Sequence, residues 1–252
     1  MYGMCRQLRI RLFTIVFFLL PGWVQAENIN VAVASNFRPA MLSLQKAFES
    51  ISEHQISLIF GSTGKQYAQI SQGAPFDVFL AADTERPRQI EEDGLAVNGS
   101  RFTYAIGQLV LWSADEQYVD QNGQVLHLDD FQHIALANPR LAPYGLAAKQ
   151  TLQELSVWED LKKKMVFGEN VAQSYQFIAS GNARLGFVAL SQVLHPEKPS
   201  IGSYWLVPKS HYAPIAQQAV LLSENDASRA FFSFLQSEEA IVIIKQHGYE
   251  TP

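Results

Sequence analysis

Four times along this chain an apolar, strand-like run breaks at a few small or turn-forming residues and leads directly into a helix. Ile29 to Ala34 ends in Ser35-Asn36-Phe37, and the next helix carries Pro39 in its first turn. Ile56, Leu58 and Phe60 precede Gly61-Ser62-Thr63-Gly64, with a helix beginning near Lys65. His133 to Ala137 runs into Asn138-Pro139-Arg140-Leu141-Ala142-Pro143-Tyr144-Gly145 and a helix from about Leu146 to Leu155. Lys164 to Phe167 leads through Gly168-Glu169-Asn170-Val171 into a helix reaching about Ser180. In a parallel α/β sheet such junctions gather at the carboxyl edge of the strands, where ligands bind. Each helix start also presents unpaired N–H groups with a partial positive dipole behind them. Two junctions fall early and two late, so the expected architecture is α/β: two doubly wound lobes with a ligand cleft between them.

The remaining pattern fills in that plan. Asp77 to Ala82 is nearly all apolar, as in a strand buried on both faces. Gln108 to Ser113, Leu185 to Leu190 and Gln217 to Ser223 read as further strands. The first helix should bury Met41, Leu44, Phe48 and Ile51, spaced three and four apart. A polar helix, Thr84 to Asp93, stops at Gly94; Asp226 and Ser237 suit the caps of two last helices, and Gly248 ends the chain's final one. Asp115 to Asp130 is polar, with Asn122-Gly123 as a turn. The expected division is residues 27–110 with 212–252 in the first lobe and 111–211 in the second, with the terminal helices returning to the first.

The amino terminus reads as an export signal. Arg6, Arg9 and Arg11 precede the apolar run Leu12 to Leu20, and Val24-Gln25-Ala26 offers a small-residue cleavage site before Glu27. Nine apolar residues are too few to span a bilayer. The single cysteine, Cys5, precedes that run rather than standing at the cleavage point, which argues against a lipid anchor and leaves the mature chain without thiol chemistry. The whole chain carries a net charge of −5, and losing three leader arginines makes it more acidic. Nucleic acid and anionic membrane are thereby disfavoured as partners. A small anion is not, because local N–H dipoles act at a few ångströms while scattered surface charge is screened.

Other chemistries were weighed residue by residue. On their own, Ser62 and Thr63 read more often as an ordinary helix cap than as an oxyanion cradle. Ser62-Thr63-Gly64-Lys65 fits the Ser-x-x-Lys pattern of a serine nucleophile, but the K-T-G and S-D-N partners are missing. A phosphate-binding P-loop fails at Ile59 and Gln66. His127 and His133 near Asp129 and Asp130 form a weak pairing that more often belongs to a solvated loop. Asp77 and Asp83 border a strand and read as caps before they read as acid or base. Tyr144 divides evenly between aromatic packing and a role for its backbone N–H.

Taken together, VAVASNF (31–37), the stretch from Gly61 to Asp83, NPRLAPYGLAAK (138–149), GENVAQ (168–173) and LGFVAL (185–190) resemble the periplasmic molybdate-binding proteins of ABC importers across the mature sequence. The resemblance implies the type II periplasmic binding protein fold and an anion held by hydroxyls and backbone amides, with no basic side chain on it. By position, Ser35 and Thr63 would supply hydroxyls with Ser62 adjacent, and Tyr144 and Val171 would donate backbone N–H groups. Some members place a tyrosine hydroxyl where this chain has Ala189, so Asn36 is the expected replacement donor. The resemblance further implies no enzyme activity and no cofactor. Molybdate or tungstate would be the ligand, a membrane permease the partner, and a periplasmic monomer the working form. The alternatives are a receptor for sulfate or another tetrahedral oxyanion, and a periplasmic hydrolase using Ser62 and Lys65. The exported form should begin at Glu27; intact mass spectrometry of periplasmic protein would show that terminus, and a retained leader or a lipid on Cys5 would contradict it.

Overall fold

The computed structural model describes residues 27–128, 130–194 and 202–252. The leader with Cys5, and also Asp129 and His195, lie outside the described residues. Two five-stranded sheets organise the molecule. The first contains β1 (Asn28–Ala34), β2 (Gln55–Gly61), β3 (Val78–Leu80), β4 (Phe102–Gly107) and, from the far end of the chain, β10 (Ile215–Leu221). Its order is β2-β1-β3-β10-β4, with β1, β2 and β3 parallel and β10 antiparallel to both neighbours. The second contains β5 (Leu109–Ser113), β6 (Ile134–Ala137), β7 (Met165–Gly168), β8 (Leu185–Ala189) and β9 (Ser203–Leu206). Its order is β7-β6-β8-β5-β9, again three parallel strands followed by an antiparallel one, β5. The doubly wound reading therefore holds with one amendment: both sheets are mixed.

Side-chain alternation explains why helices cover both faces of the first sheet. Val31 and Val33 of β1, Val78 and Leu80 of β3 and Ala219 and Leu221 of β10 enter one buried cluster. Their neighbours Ala32, Phe79 and Val220 enter a separate one on the opposite face. The first face takes α1 (Arg38–Ile51), α8 (Asp226–Phe234) and α9 (Glu238–Gln246), through Met41, Leu44, Phe48, Phe231, Phe234 and Ile244. The other takes α2 (Thr63–Ser71) and α3 (Glu85–Glu92), through Ile70 and Ile90. A strand buried on both faces has no polar side, which is the physical reason for runs such as Asp77 to Ala82. The second sheet is enclosed by α4 (Pro143–Glu154), α5 (Trp158–Leu161), α6 (Val171–Ala179) and α7 (Leu190–Val193).

Several expectations need correction. Ile51 lies at the very end of α1, one turn past Phe48, and stays 66% exposed. Two strands, β4 and β9, escape sequence reading because neither alternates cleanly between buried and exposed positions. The single residue Gln108 separates β4 from β5, although the two belong to different sheets. The chain thus changes sheet at Gln108, so a boundary between 110 and 111 would cut β5; it returns between β9 and β10. The helix after Asn138 begins at Pro143, not near Leu146, and α2 begins at Thr63, not Lys65. Asn225, not Asp226, caps α8, accepting from the Ser228 N–H, while Ser237 caps α9 as expected.

Candidate functional site

The four strand–loop–helix junctions meet. A small cavity is lined by Ala34, Ser35 and Asn36 from the first, Gly61, Ser62 and Thr63 from the second, Ala142, Pro143 and Tyr144 from the third, and Asn170 and Val171 from the fourth. Ala82, just beyond β3, completes it. All six residues singled out from the sequence, Ser35, Asn36, Ser62, Thr63, Tyr144 and Val171, therefore face one point from two sheets. Ala189 is not among the lining residues. The cavity is about 10 Å3 in volume. That is room for about one water-sized group and is far below the several hundred Å3 typical of larger ligands. Hollows of about 380 Å3 lie near Asp115, Asp130 and Arg184, and near Arg140, Trp158 and Phe167, but helix starts do not converge on them.

No charged side chain lines the cavity, so its character comes from helix ends. Thr63 and Val171 are the first residues of α2 and α6, and Tyr144 is the second of α4, where N–H groups have no intrahelical acceptor. Three of the four junctions also lack a side-chain cap. Ala34 and Ala142 have no polar side chain, and Ser62, placed at the N-cap of α2, makes no capping bond. Asn170 is the exception, accepting from the Gln173 N–H at 3.1 Å. Gly145 lets the start of α4 press against the end of β6, since a Cβ there would overlap the Ala137 carbonyl oxygen.

The two hydroxyls at the start of α2 are bonded differently. Ser62 is buried, and its Oγ has no hydrogen-bond partner. An unpaired buried hydroxyl is costly, and native structures seldom keep one without a use. Thr63 Oγ1 accepts the Ala82 N–H at 3.1 Å, which leaves the Thr63 proton free to be donated. Asn36 departs from expectation. Its Nδ2 gives both protons away, to Gln217 Oε1 at 2.8 Å and to the Tyr249 hydroxyl at 3.0 Å. Its amide protons are thus committed behind the site, and its backbone N–H is the donor it has left.

Behind Asn36 lies a buried polar network that sequence reading missed. Gln217 Oε1 also accepts from the Tyr104 hydroxyl at 3.1 Å, while Ser191 Oγ and the Tyr249 hydroxyl both donate to the Asn36 carbonyl at 2.9 Å. Burial pushes the Tyr104 and Tyr144 phenols well above the usual range, and Tyr249 up to about 12, so all three remain protonated. The partners lie 181 and 213 residues from Asn36, and no local pattern could reveal them.

The remaining candidates take structural roles. Lys65 Nζ forms an ion pair with Glu169 Oε2 at 3.1 Å and makes no bond to Ser62 Oγ, so the nucleophile–base contact that a hydrolase reading needs is not formed. Asp83 pairs with Arg86 at 2.7 Å and accepts its N–H; burial raises its pKa and Arg86 opposes that shift. Asp77 accepts from the Asn30 N–H and the Ser223 hydroxyl. Among the described residues no group of His, Cys, Asp and Glu could hold a metal ion, and Asp130 accepts from the Tyr118 hydroxyl instead.

A family model described as bacterial extracellular solute-binding protein matches residues 29–250. The chain belongs to that family. This solute-binding protein is 48% identical over 234 residues to the molybdate-binding protein ModA of Azotobacter vinelandii, spanning 92% of this chain and 93% of the relative. It is 47% identical over 229 residues to ModA of Rhodobacter capsulatus, spanning 90% and 89%. Its fold matches the solved periplasmic molybdate-binding protein of Azotobacter vinelandii with a TM-score of 0.86, at 41% identity over 89% of this chain and 99% of that one.

The unequal bonding of the two hydroxyls gives a test that needs no ligand. Ser62→Ala removes an unpaired buried group and should leave the oxyanion-free protein as stable as wild type or more stable, by up to about 1–3 kcal/mol. Thr63→Ala orphans the buried Ala82 N–H and should cost about 1–3 kcal/mol. Urea unfolding of both variants checks this; equal losses would mean that Ser62 Oγ has a partner after all.

Proposed function

We propose that this solute-binding protein captures molybdate, and tungstate with it, in the periplasm and delivers it to the membrane permease of an ABC importer, working as a monomer without a cofactor. One observation carries the reading: four helix starts from two lobes surround a small uncharged cavity in which the buried Ser62 hydroxyl has no partner. Relatives over nearly the whole chain are named molybdate-binding proteins, which supports the choice of ion.

In this reading Ser35, Ser62 and Thr63 donate hydroxyl protons to the anion, and Tyr144, Val171 and Asn36 donate backbone N–H groups. Asn36 replaces a tyrosine hydroxyl only in number of bonds, since its amide is engaged elsewhere. Each charge-assisted bond contributes about 1.5–3 kcal/mol before the costs of closure and lost freedom. Six such bonds less those costs correspond to dissociation constants of roughly micromolar to nanomolar. A cavity dominated by donors favours a fully deprotonated tetrahedral dianion. Monohydrogen phosphate carries a proton that itself needs an acceptor.

Tetrahedral dianions share charge and acceptor pattern, so such a cavity separates them by size. Donors set for the longer metal–oxygen bonds of molybdate would leave sulfate oxygens a few tenths of an ångström short, and several stretched bonds would sum to a few kcal/mol. Calorimetric titration of the mature protein with each anion tests this. Molybdate and tungstate should bind within about tenfold of each other and sulfate at least about a hundredfold more weakly. Millimolar sulfate displacing micromolar molybdate would overturn the assignment in favour of a sulfate receptor.

A further inference from the structure

We infer that the Tyr144 phenol is a positioning group for closure: its hydroxyl seats against Gly107 and Gln217 of the opposite sheet and thereby holds Tyr144's own backbone N–H at the anion. The inference rests on the oxyanion reading above and adds a residue function to it. Tyr144 belongs to α4, packed on the second sheet, yet its ring tip reaches the first. A Cβ on Gly107, in β4, would overlap the Tyr144 hydroxyl and lie 2.9 Å from its Cζ, so the absence of a side chain there makes the seat. Gln217, in β10, donates from Nε2 to the Tyr144 hydroxyl at 3.4 Å. That bond is long, so shape at Gly107 shares the work with hydrogen bonding.

The seat is prepared before the phenol arrives. Gln217 is fully buried, and its Oε1 is held by the Asn36 amide and the Tyr104 hydroxyl, all within the first lobe. Its amide orientation is therefore fixed, with Nε2 facing the second lobe. The same Asn36 that fixes Gln217 lines the anion cavity, and so does Tyr144, whose N–H lies in the first turn of α4 without an intrahelical acceptor. Parting of the lobes would withdraw the phenol from Gly107 and Gln217 and the Tyr144 N–H from the anion together. A contact made only in the closed state shifts the population toward closure and strengthens binding without touching the ligand. Burial keeps this phenol protonated, so the contact does not depend on physiological pH.

Two variants of the mature protein test the inference, each measured beside wild type. Tyr144→Phe keeps the ring and the N–H and removes only the hydroxyl. It should weaken molybdate binding about tenfold, nearly all as faster dissociation in stopped-flow displacement by excess tungstate, while the oxyanion-free protein melts within about 2 °C of wild type. Gly107→Ala fills the seat and should weaken binding similarly. Combined with Tyr144→Phe it should do less harm than the two losses added, because both act on one contact. Molybdate affinity within twofold of wild type for Tyr144→Phe, a loss that appears as slower association, or strictly additive losses would overturn the inference and leave the oxyanion reading standing. Wild-type protein that binds none of molybdate, tungstate and sulfate would sink both.

Discussion

An anion taken out of water must recover its lost hydrogen bonds from the protein, and here no cationic side chain lines the cavity to help. Everything else in the structure follows from meeting that demand with N–H and O–H groups. Backbone N–H groups are normally committed to helices and sheets, and the first turn of a helix is where they remain free. A single helix start offers only two or three in one direction. Surrounding a tetrahedral ion takes several starts aimed inward, which a single sheet edge cannot supply on all sides. Two sheets facing each other can.

The topology accomplishes this by repetition. In each sheet the two junctions that reach the cavity follow adjacent parallel strands: β1 and β2 in the first, β6 and β7 in the second. Each sheet then receives an antiparallel strand, β10 or β5, whose chain connection runs to the other sheet. The lobes are therefore tied by two backbone crossings, and across the mouth by softer links. Gly64 N–H donates to the Leu141 carbonyl at 2.9 Å, and Lys65 pairs with Glu169. The Lys65–Glu169 pair is half exposed and so is worth little by itself. The buried Asn36–Gln217–Tyr249–Ser191 network is different in kind: with its donors and acceptors matched it favours one relative placement of the elements it joins.

Much of this was legible in the sequence, because the cavity is built from local junctions. Ser35, Ser62, Thr63, Tyr144 and Val171 each stand at the end of an apolar run and the start of a helix, and the covalent chain itself fixes that geometry. The parts that were not legible depend on distant partners. Nothing near Asn36 in the sequence shows that its amide protons go to Gln217 and Tyr249, so the resemblance alone points to Asn36 as a donor without distinguishing side chain from backbone. Strands β4 and β9 do not show in the sequence because neither alternates cleanly between buried and exposed positions, the pattern that marks a half-buried strand. The starts of α2 and α4 were placed two or three residues late because small and proline residues there read as loop. At those two starts the N–H groups of Thr63 and Tyr144 have no intrahelical acceptor.

Anomalous X-ray scattering at the molybdenum edge, from crystals of the mature protein grown with molybdate, addresses the central claim most directly. One strong peak should lie in the cavity between the starts of α2, α4 and α6, with ligand oxygens about 2.7–3.0 Å from the Ser62 and Thr63 hydroxyls and from the Tyr144 and Val171 nitrogens. A peak elsewhere, such as the hollow near Asp115 and Arg184, or a molybdate in the cavity that leaves Ser62 Oγ unpaired, would contradict it.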